Sequence, residues 1–428
     1  MAEKELDFTI ERLGECHFPS PMQGVRYTRD DDGILFHSNA AEVRKLVGAG
    51  RTVPAMELAG PRERIFFDPT AIACGIVTCG GLCPGINDVI RAATLSLYHH
   101  YGVRKVFGFR YGYEGLVKRF GHTPLKLTPE SVSHIGRQGG TILASSRGPQ
   151  DPAAMVDYLE ELGINILFAI GGDGTLRGAS AIAAEAARRG RPLSVVGIPK
   201  TIDNDISFVQ KTFGFETAVA EARRAIDAAH TEADGARNGI GLVKLMGRDS
   251  GFIAAYSCLV DSQVNITLVP EVRFTLDGFL RTLEERLERR GHAVVVVAEG
   301  AGQELLAATA ERDASGNVKL GDIGTFLRDA INVYFKRAGR EATLKYIDPS
   351  YIIRSQPANP HDSALCLLLG QSAVHAGMAG RTNMVVGFWS HQFTHVPIAL
   401  ATISRKKIDP EGWLWSSVLA STGQPRHM

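Results

Sequence analysis

The segment Gly171-Gly172-Asp173-Gly174-Thr175 follows directly on the apolar run from Ile164 to Ile170. Glycines at a strand-to-helix turn let backbone N–H groups close on an anion at a helix N-terminus, where the dipole favours negative charge. The carboxylate of Asp173 would repel a bare phosphate, so its chemistry there is to hold a magnesium ion that bridges phosphates. About one βα unit later the chain reads Lys200-Thr201-Ile202-Asp203-Asn204-Asp205. Asp203 can accept a proton from an attacking hydroxyl, Thr201 can donate to phosphoryl oxygens, and Asp205 can orient its neighbours. Together the two clusters point to phosphoryl transfer.

Each cluster also has a plainer explanation. NAD kinases and lipid kinases carry similar glycine-aspartate-glycine turns, and any tight strand-to-helix turn favours glycine. Asp and Asn favour turns by bonding their own backbone. Met246-Gly247-Arg248 ends a later apolar run, where Gly allows close approach and Arg offers a two-pronged phosphate contact; a solvated surface arginine is the alternative. Tyr351 and Arg354 stand at spacing three, suited to one face binding a sugar phosphate, or to plain surface. Arg147 lies in the glycine-bounded small-residue stretch Gly139–Gly148, as a phosphate-reaching arm or a loop charge.

With 428 residues, 44% hydrophobic and 22% charged, the composition is that of a soluble globular protein with two or three domains. A net charge of +1 leaves no global field for nucleic acid or an anionic membrane. No apolar run has the ~18 residues of a membrane helix, and Met1-Ala2-Glu3-Lys4-Glu5 lacks a signal-peptide core, so a cytoplasmic protein is expected. The six cysteines form no disulfide framework and the thirteen histidines show no metal-ligand spacing, so buried reduced thiols are expected.

The elements that must position these residues alternate from Ala71 onward, the pattern of α/β lobes with doubly wound, Rossmann-like parallel sheets. Strands are expected over 72–78, 105–109, 164–170 and 193–198, with helices over 87–100, 176–189 and one opened by Asp151-Pro152. The loops after three of these strands converge on one site. A second series runs through helix 215–233, strand 240–245, helix 251–260, strand 266–269, helix 276–290, strand 293–298, helix 323–338 and strand 344–347. Helix 360–379 and strand 383–388 then return to the first series. The expected division is an N-terminal extension over 1–70, a first lobe over 71–212 and 353–405, a second over 213–352, and a C-terminal extension over 406–428. Two facing lobes imply a ligand in a cleft.

The segments Gly75–Asn87, Gly139–Arg147, Gly171–Thr175, Pro199–Asp205, Gly214–Ala218, Met246–Arg248, Glu299-Gly300 and Tyr351–Arg354 occur in the order seen in 6-phosphofructokinases. The resemblance covers roughly residues 71–405, and the extensions are similar to those of the long plant and protist branch. It implies phosphoryl transfer from ATP to the 1-hydroxyl of fructose 6-phosphate with Mg²⁺, in glycolysis. By that resemblance Asp203 is the proton acceptor and Asp173 the metal-associated acid. Gly80, Arg147, Gly148, Gly171, Gly172, Asp173, Gly174 and Thr175 line the nucleotide site. Thr201, Ile202, Asp203, Asp205, Met246, Gly247, Arg248, Glu299, Lys345, Tyr351 and Arg354 hold the sugar phosphate, with Thr201 and Arg248 also beside the transferred group. A homodimer or homotetramer and allosteric control are implied as family traits.

Two departures stand out. Short bacterial members place arginines from a neighbouring subunit at the positions of Gly239 and Lys345; lysine keeps a charge, whereas glycine keeps no contact. Pyrophosphate-using members carry an acid at the position of Gly174, which crowds a nucleotide α-phosphate, while Lys200 is shared with them. Plant and protist ATP enzymes combine this glycine with this lysine. ATP is therefore the expected donor, with a pyrophosphate-dependent enzyme, an NAD kinase-like enzyme and a silent regulatory subunit as the alternatives.

Overall fold

The computed structural model describes residues 6–307, 311–312 and 318–428; Met1 to Glu5, the start of the expected extension, lie outside the described residues. The described residues form two compact units. The first holds residues up to Thr201, Ile206–Phe213 and Pro357–Ser404; the second holds Ile202–Asp205, Gly214–Gln356 and Arg405–Met428.

The first unit is built on a seven-stranded sheet whose central five strands are parallel. They are Ala73–Thr78, Lys105–Phe109, Ile164–Gly171, Ser194–Pro199 and Met384–Trp389. Ile164–Gly171 is buried at every position except Asn165, as a strand covered on both faces must be. Asn165 is where the register slips, and its Oδ1 accepts the Ala73 N–H at 3.1 Å. Leu125–Lys126 and Gln392–Pro397 close the two edges antiparallel, and neither is legible in the apolar periodicity. Helix Pro152–Glu161 opens as its sequence directs, with Pro at its start and the Asp151 side chain accepting from Ala153 N–H at 3.1 Å.

Residues 6–70 show little periodicity, yet five short strands form there and take part in three pairings. Glu11–Arg12 pairs with Arg381–Thr382, Phe18–Pro19 with Arg64–Ile65, and Gly33–Leu35 with Ala55–Glu57. An ion cluster pins this segment to the sheet. Arg381, 1% exposed, contacts Asp30 at 2.5 Å and Glu57 at 3.0 Å, and Arg62 contacts the same two acids at 3.0 and 2.9 Å. Burial alone would raise the Glu57 carboxyl, but His395, Arg381 and Arg62 hold it well below the usual carboxylate range.

The second unit carries a four-stranded, fully parallel sheet of Ile266–Leu268, His292–Ala298, Gly239–Leu245 and Thr343–Ile347, in that spatial order. Helices Phe215–Asp234, Phe252–Val260, Leu276–Arg290 and Ile323–Arg337 alternate with them. Its core gathers Val295, Val297, Phe279, Leu283, Leu327 and Ile331. A C-terminal helix, Trp413–Thr422, and a tail complete this unit.

Candidate active site

In the first unit the anion turn sits where the strand Ile164–Gly171 ends. The helix begins at Asp173, three residues before the expected Leu176, with Gly172 as its extended N-cap. Asp173, Gly174 and Thr175 are therefore its first turn, where amides have no intrahelical acceptor and the dipole attracts anions. A Cβ at Gly171 would collide with the Thr175 side chain, so glycine there is a packing necessity. Thr175 is buried, and its carbonyl accepts from Tyr113 Oη at 2.5 Å. Around a Cβ at Gly174 there is no protein atom within 4 Å, so open space lies beside this turn.

Two further loops are tied to the same strand ends. Gly80, at a left-handed φ of 87°, donates its N–H to Ser146 O at 3.0 Å and accepts from Ser145 Oγ at 2.7 Å. This joins the Gly80-Gly81 loop to the Arg147-Gly148 segment, in which Arg147 is exposed. Lys200, 5% exposed, follows the next strand; its N–H donates to Gly171 O at 3.0 Å and its ammonium to Gly81 O at 2.5 Å. Gly80, Arg147, Gly148, Gly171, Gly172, Asp173, Gly174, Thr175 and Lys200 thus share one network of strand-end loops within this unit. Thr201 closes it, its carbonyl accepting from Thr212 Oγ1 at 2.7 Å.

In the second unit, Leu245 and Ala298 are register partners on adjacent parallel strands, so the segments after them emerge side by side. Arg248 N–H donates to Glu299 Oε1 at 3.0 Å. Arg248 has a left-handed φ of 48° and Asn204 one of 52°, a region uncommon for residues with a Cβ, although Asn enters it more readily than most. A Cβ at Gly300 would collide with the Arg248 carbonyl, which explains the glycine after Glu299. Ile202–Asp205 belongs to this unit as well. Burial, then the carboxylates of Asp205 and Glu299, push the Asp203 carboxyl up to about 7, against the pull of Arg248 and Arg405. An acid so tuned accepts and returns a proton near neutral pH.

Four other positions singled out in the sequence have different surroundings. Lys345 lies inside the strand Thr343–Ile347, opposite Gly241, and its ammonium is 3.5 Å from Glu232. Tyr351 is 73% exposed, and the Arg354 guanidinium stacks 5.0 Å from its ring centroid. At Gly239 a Cβ would collide with the Ala233 carbonyl, so this backbone admits no side chain there. Sequence reasoning missed Arg405 and Lys406, which approach Asp205: Lys406 N–H donates to Asp205 O at 2.7 Å, and Arg405 Nε lies 3.7 Å from Asp205 Oδ2. Their only signal is a basic run, Arg405-Lys406-Lys407, which resembles any solvated loop.

Among the described residues no group of three or more His, Cys, Asp or Glu side chains is arranged to hold a metal. Asp173 pairs with Arg177 one helical turn on. A single carboxylate fits a magnesium ion that arrives with phosphates supplying most of its ligands, and not a resident protein-caged ion. Among the described residues no cysteine is in a disulfide; five are buried and Cys16 is partly so. No described helix is long and apolar enough to cross a membrane.

One α/β unit presents a glycine-lined helix N-terminus and the other a buried carboxylate, Asp203, with Arg248 acting on it; each is a feature of the phosphotransferase class. The phosphofructokinase family model matches residues 73–377, and the chain belongs to that family. An ATP-dependent 6-phosphofructokinase from Borreliella burgdorferi is 47% identical over 441 residues, spanning 99% of this chain and 98% of the relative. One from Trypanosoma cruzi is 51% identical over 365 residues, spanning 85% and 75%. A solved structure of a pyrophosphate-dependent phosphofructokinase from Marinobacter aquaeolei superposes with TM-score 0.68 at 18% identity, covering 82% of this chain and 91% of that one. At that identity the likeness speaks for the fold and not for the donor.

Proposed function

We infer that this chain transfers the terminal phosphoryl group of ATP to the 1-hydroxyl of fructose 6-phosphate, giving fructose 1,6-bisphosphate and ADP. The near full-length identity to ATP-dependent 6-phosphofructokinases carries the reading. Open space at Gly174 supports ATP over pyrophosphate, because an acid there would stand where an α-phosphate needs room. Lys200 does not oppose this, since its ammonium is engaged by the Gly81 carbonyl.

Asp203 takes the proton of the 1-hydroxyl, and Arg248 with Thr201 offsets charge on the phosphoryl group in flight. Gly80, Arg147, Gly148 and Gly171–Thr175 bind the nucleotide, so the first unit is the nucleotide lobe. Met246–Arg248, Glu299, Lys345, Tyr351 and Arg354, with the Ile202–Asp205 loop, hold the sugar phosphate, which makes the second unit the sugar lobe. Magnesium bound with ATP neutralises phosphate charge, and Asp173 is the residue that would hold it. A homo-oligomer in the cytoplasm completes the reading.

Phosphorus NMR of a mixture of the protein, ATP, magnesium and fructose 6-phosphate tests this. The expected result is ADP and a new bisphosphate. Product formation with NAD in place of the sugar, and none with the sugar, would replace the reading by an NAD kinase.

A further inference from the structure

The dipeptide Arg405-Lys406 straps two parts of the second unit together. Lys406 N–H bonds the Asp205 carbonyl at 2.7 Å, while the Lys406 carbonyl accepts from Ser250 Oγ at 2.7 Å. The Arg405 guanidinium does the same with side chains. Its Nε lies 3.7 Å from Asp205 Oδ2 and its Nη1 donates to Asp249 Oδ2 at 2.9 Å. Asp205 ends the Ile202–Asp205 loop that carries Asp203, and Asp249-Ser250 directly follows Arg248. One backbone bridge and one charge bridge therefore join the Asp203 loop to the Arg248 turn.

Both bridges are buried at their Asp205 end, while the Asp249 end of the charge bridge is exposed. Asp205 is buried, Arg405 is mostly so, and the Lys406 ammonium lies 5.3 Å from the Phe252 ring centroid. Burial lowers the Lys406 ammonium to about 8 against the pull of Asp205. A guanidinium suits position 405 because it can satisfy two carboxylates in different directions, which an ammonium does less well.

We propose that Arg405 is a positioning residue for phosphoryl transfer: bridging Asp205 and Asp249, it aligns Asp203 with Arg248 and offsets the negative charge beside Asp203. It acts on Asp203 through the Asp205 contact and through its own charge. The charged groups acting on Asp203 are Asp205, Glu299, Arg248 and Arg405, so removing Arg405 leaves one cation against two acids. The remaining carboxylates then favour the protonated, inactive form of Asp203.

The proposal rests on Asp203 as the base, so Asp203→Asn is assayed beside the Arg405 variants. In Arg405→Met the acid limb of the kcat/KM profile for fructose 6-phosphate should move up by about one pH unit. Its kcat at neutral pH should fall ~10-fold with KM for ATP unchanged. Arg405→Lys should return the limb to its wild-type position while recovering only part of kcat. An unmoved limb in folded Arg405→Met, with Asp203→Asn inactive, overturns the Arg405 role and leaves the base intact. Turnover retained by Asp203→Asn removes the base itself. Should Arg405→Met fail to fold, wild-type kcat in Arg405→Lys overturns the bridge.

Discussion

The Lys200 ammonium donates to the carbonyl oxygen of Gly81 at 2.5 Å, and a Cβ on Gly80 would sit 3.5 Å from the same nitrogen. A buried cation thus fastens the glycine loop after one strand to the end of another. Lys200→Met removes a charge-assisted bond worth ~1.5–3 kcal/mol. The loop loses its tether, and KM for ATP should rise ~10-fold, a change of about 1.4 kcal/mol in binding. Steady-state kinetics at varied ATP checks this; an unchanged KM contradicts it.

Gly174→Asp should leave the fold intact, since no protein atom stands within 4 Å of the new Cβ. The carboxylate would instead meet the nucleotide. We expect kcat/KM for ATP to fall ~100-fold or more, the scale of a like charge placed against a substrate group. The melting temperature should hardly change. Retained ATP use in this variant would remove Gly174 as the donor determinant.

Asp203→Asn should lower kcat by ~10²- to 10⁴-fold, the usual worth of a general base, with KM for either substrate little altered. Wild-type kcat/KM should rise with pH through a limb near 7, where Asp203 ionises. Stability carries the opposite slope. The folded carboxyl titrates near 7 against an ordinary 3.8, so between those values the folded protein binds more protons than the unfolded chain. Stability from this group is full below 3.8 and is lost as pH rises through 7. Asp203→Asn should therefore melt higher than wild type at pH above that limb, and a lower melting temperature there contradicts the burial account.

Gly300→Ala should damage the sugar site specifically. Its Cβ would collide with the Arg248 carbonyl, so the Arg248 turn must move away from Glu299. A cost of ~1–3 kcal/mol in stability is expected for such overpacking, together with a raised KM for fructose 6-phosphate. Denaturant melts and sugar titrations measure both, and wild-type values in each would show the turn to be free to shift.

The tail adds a stability prediction. Gln424 Oε1 accepts from Thr267 N–H at 2.7 Å and its Nε2 donates to Thr267 O at 3.1 Å. The amide side chain thereby pairs with an edge strand as a neighbouring strand would. Gln424→Ala should cost ~1–3 kcal/mol, because a buried N–H and carbonyl lose their partners. Kinetic constants at low temperature should stay as in wild type. An unchanged denaturation midpoint would show the pairing to be dispensable.

Regions with strong local signals are legible in the sequence. Continuous apolar runs such as Ile164–Ile170, and caps such as Asp151-Pro152, locate the parallel strands of both sheets and their connecting helices to within a few residues, but not the antiparallel edge strands Leu125–Lys126 and Gln392–Pro397. Gly171–Thr175 and Met246–Arg248 stand out because glycine beside a charge at a strand end has few uses. What stays hidden depends on contacts distant in sequence. Glu11–Arg12 becomes a strand only by pairing with Arg381–Thr382. The polar residues Asp30, Glu57, Arg62 and Arg381 look like surface until their mutual charges meet in a cluster that buries all of them but Asp30. Arg405 is hidden for the same reason, since its partners lie 156 and 200 positions earlier in the chain at Asp249 and Asp205. The first turn of the helix at Asp173 resembles loop in the sequence, because closely spaced glycines lower helix propensity.

The most direct test is a donor comparison on the purified protein, with fructose 6-phosphate and magnesium present and fructose 1,6-bisphosphate formation followed by a coupled assay. The account predicts sustained turnover with ATP and at most a trace with pyrophosphate. Turnover with pyrophosphate and none with ATP would contradict it.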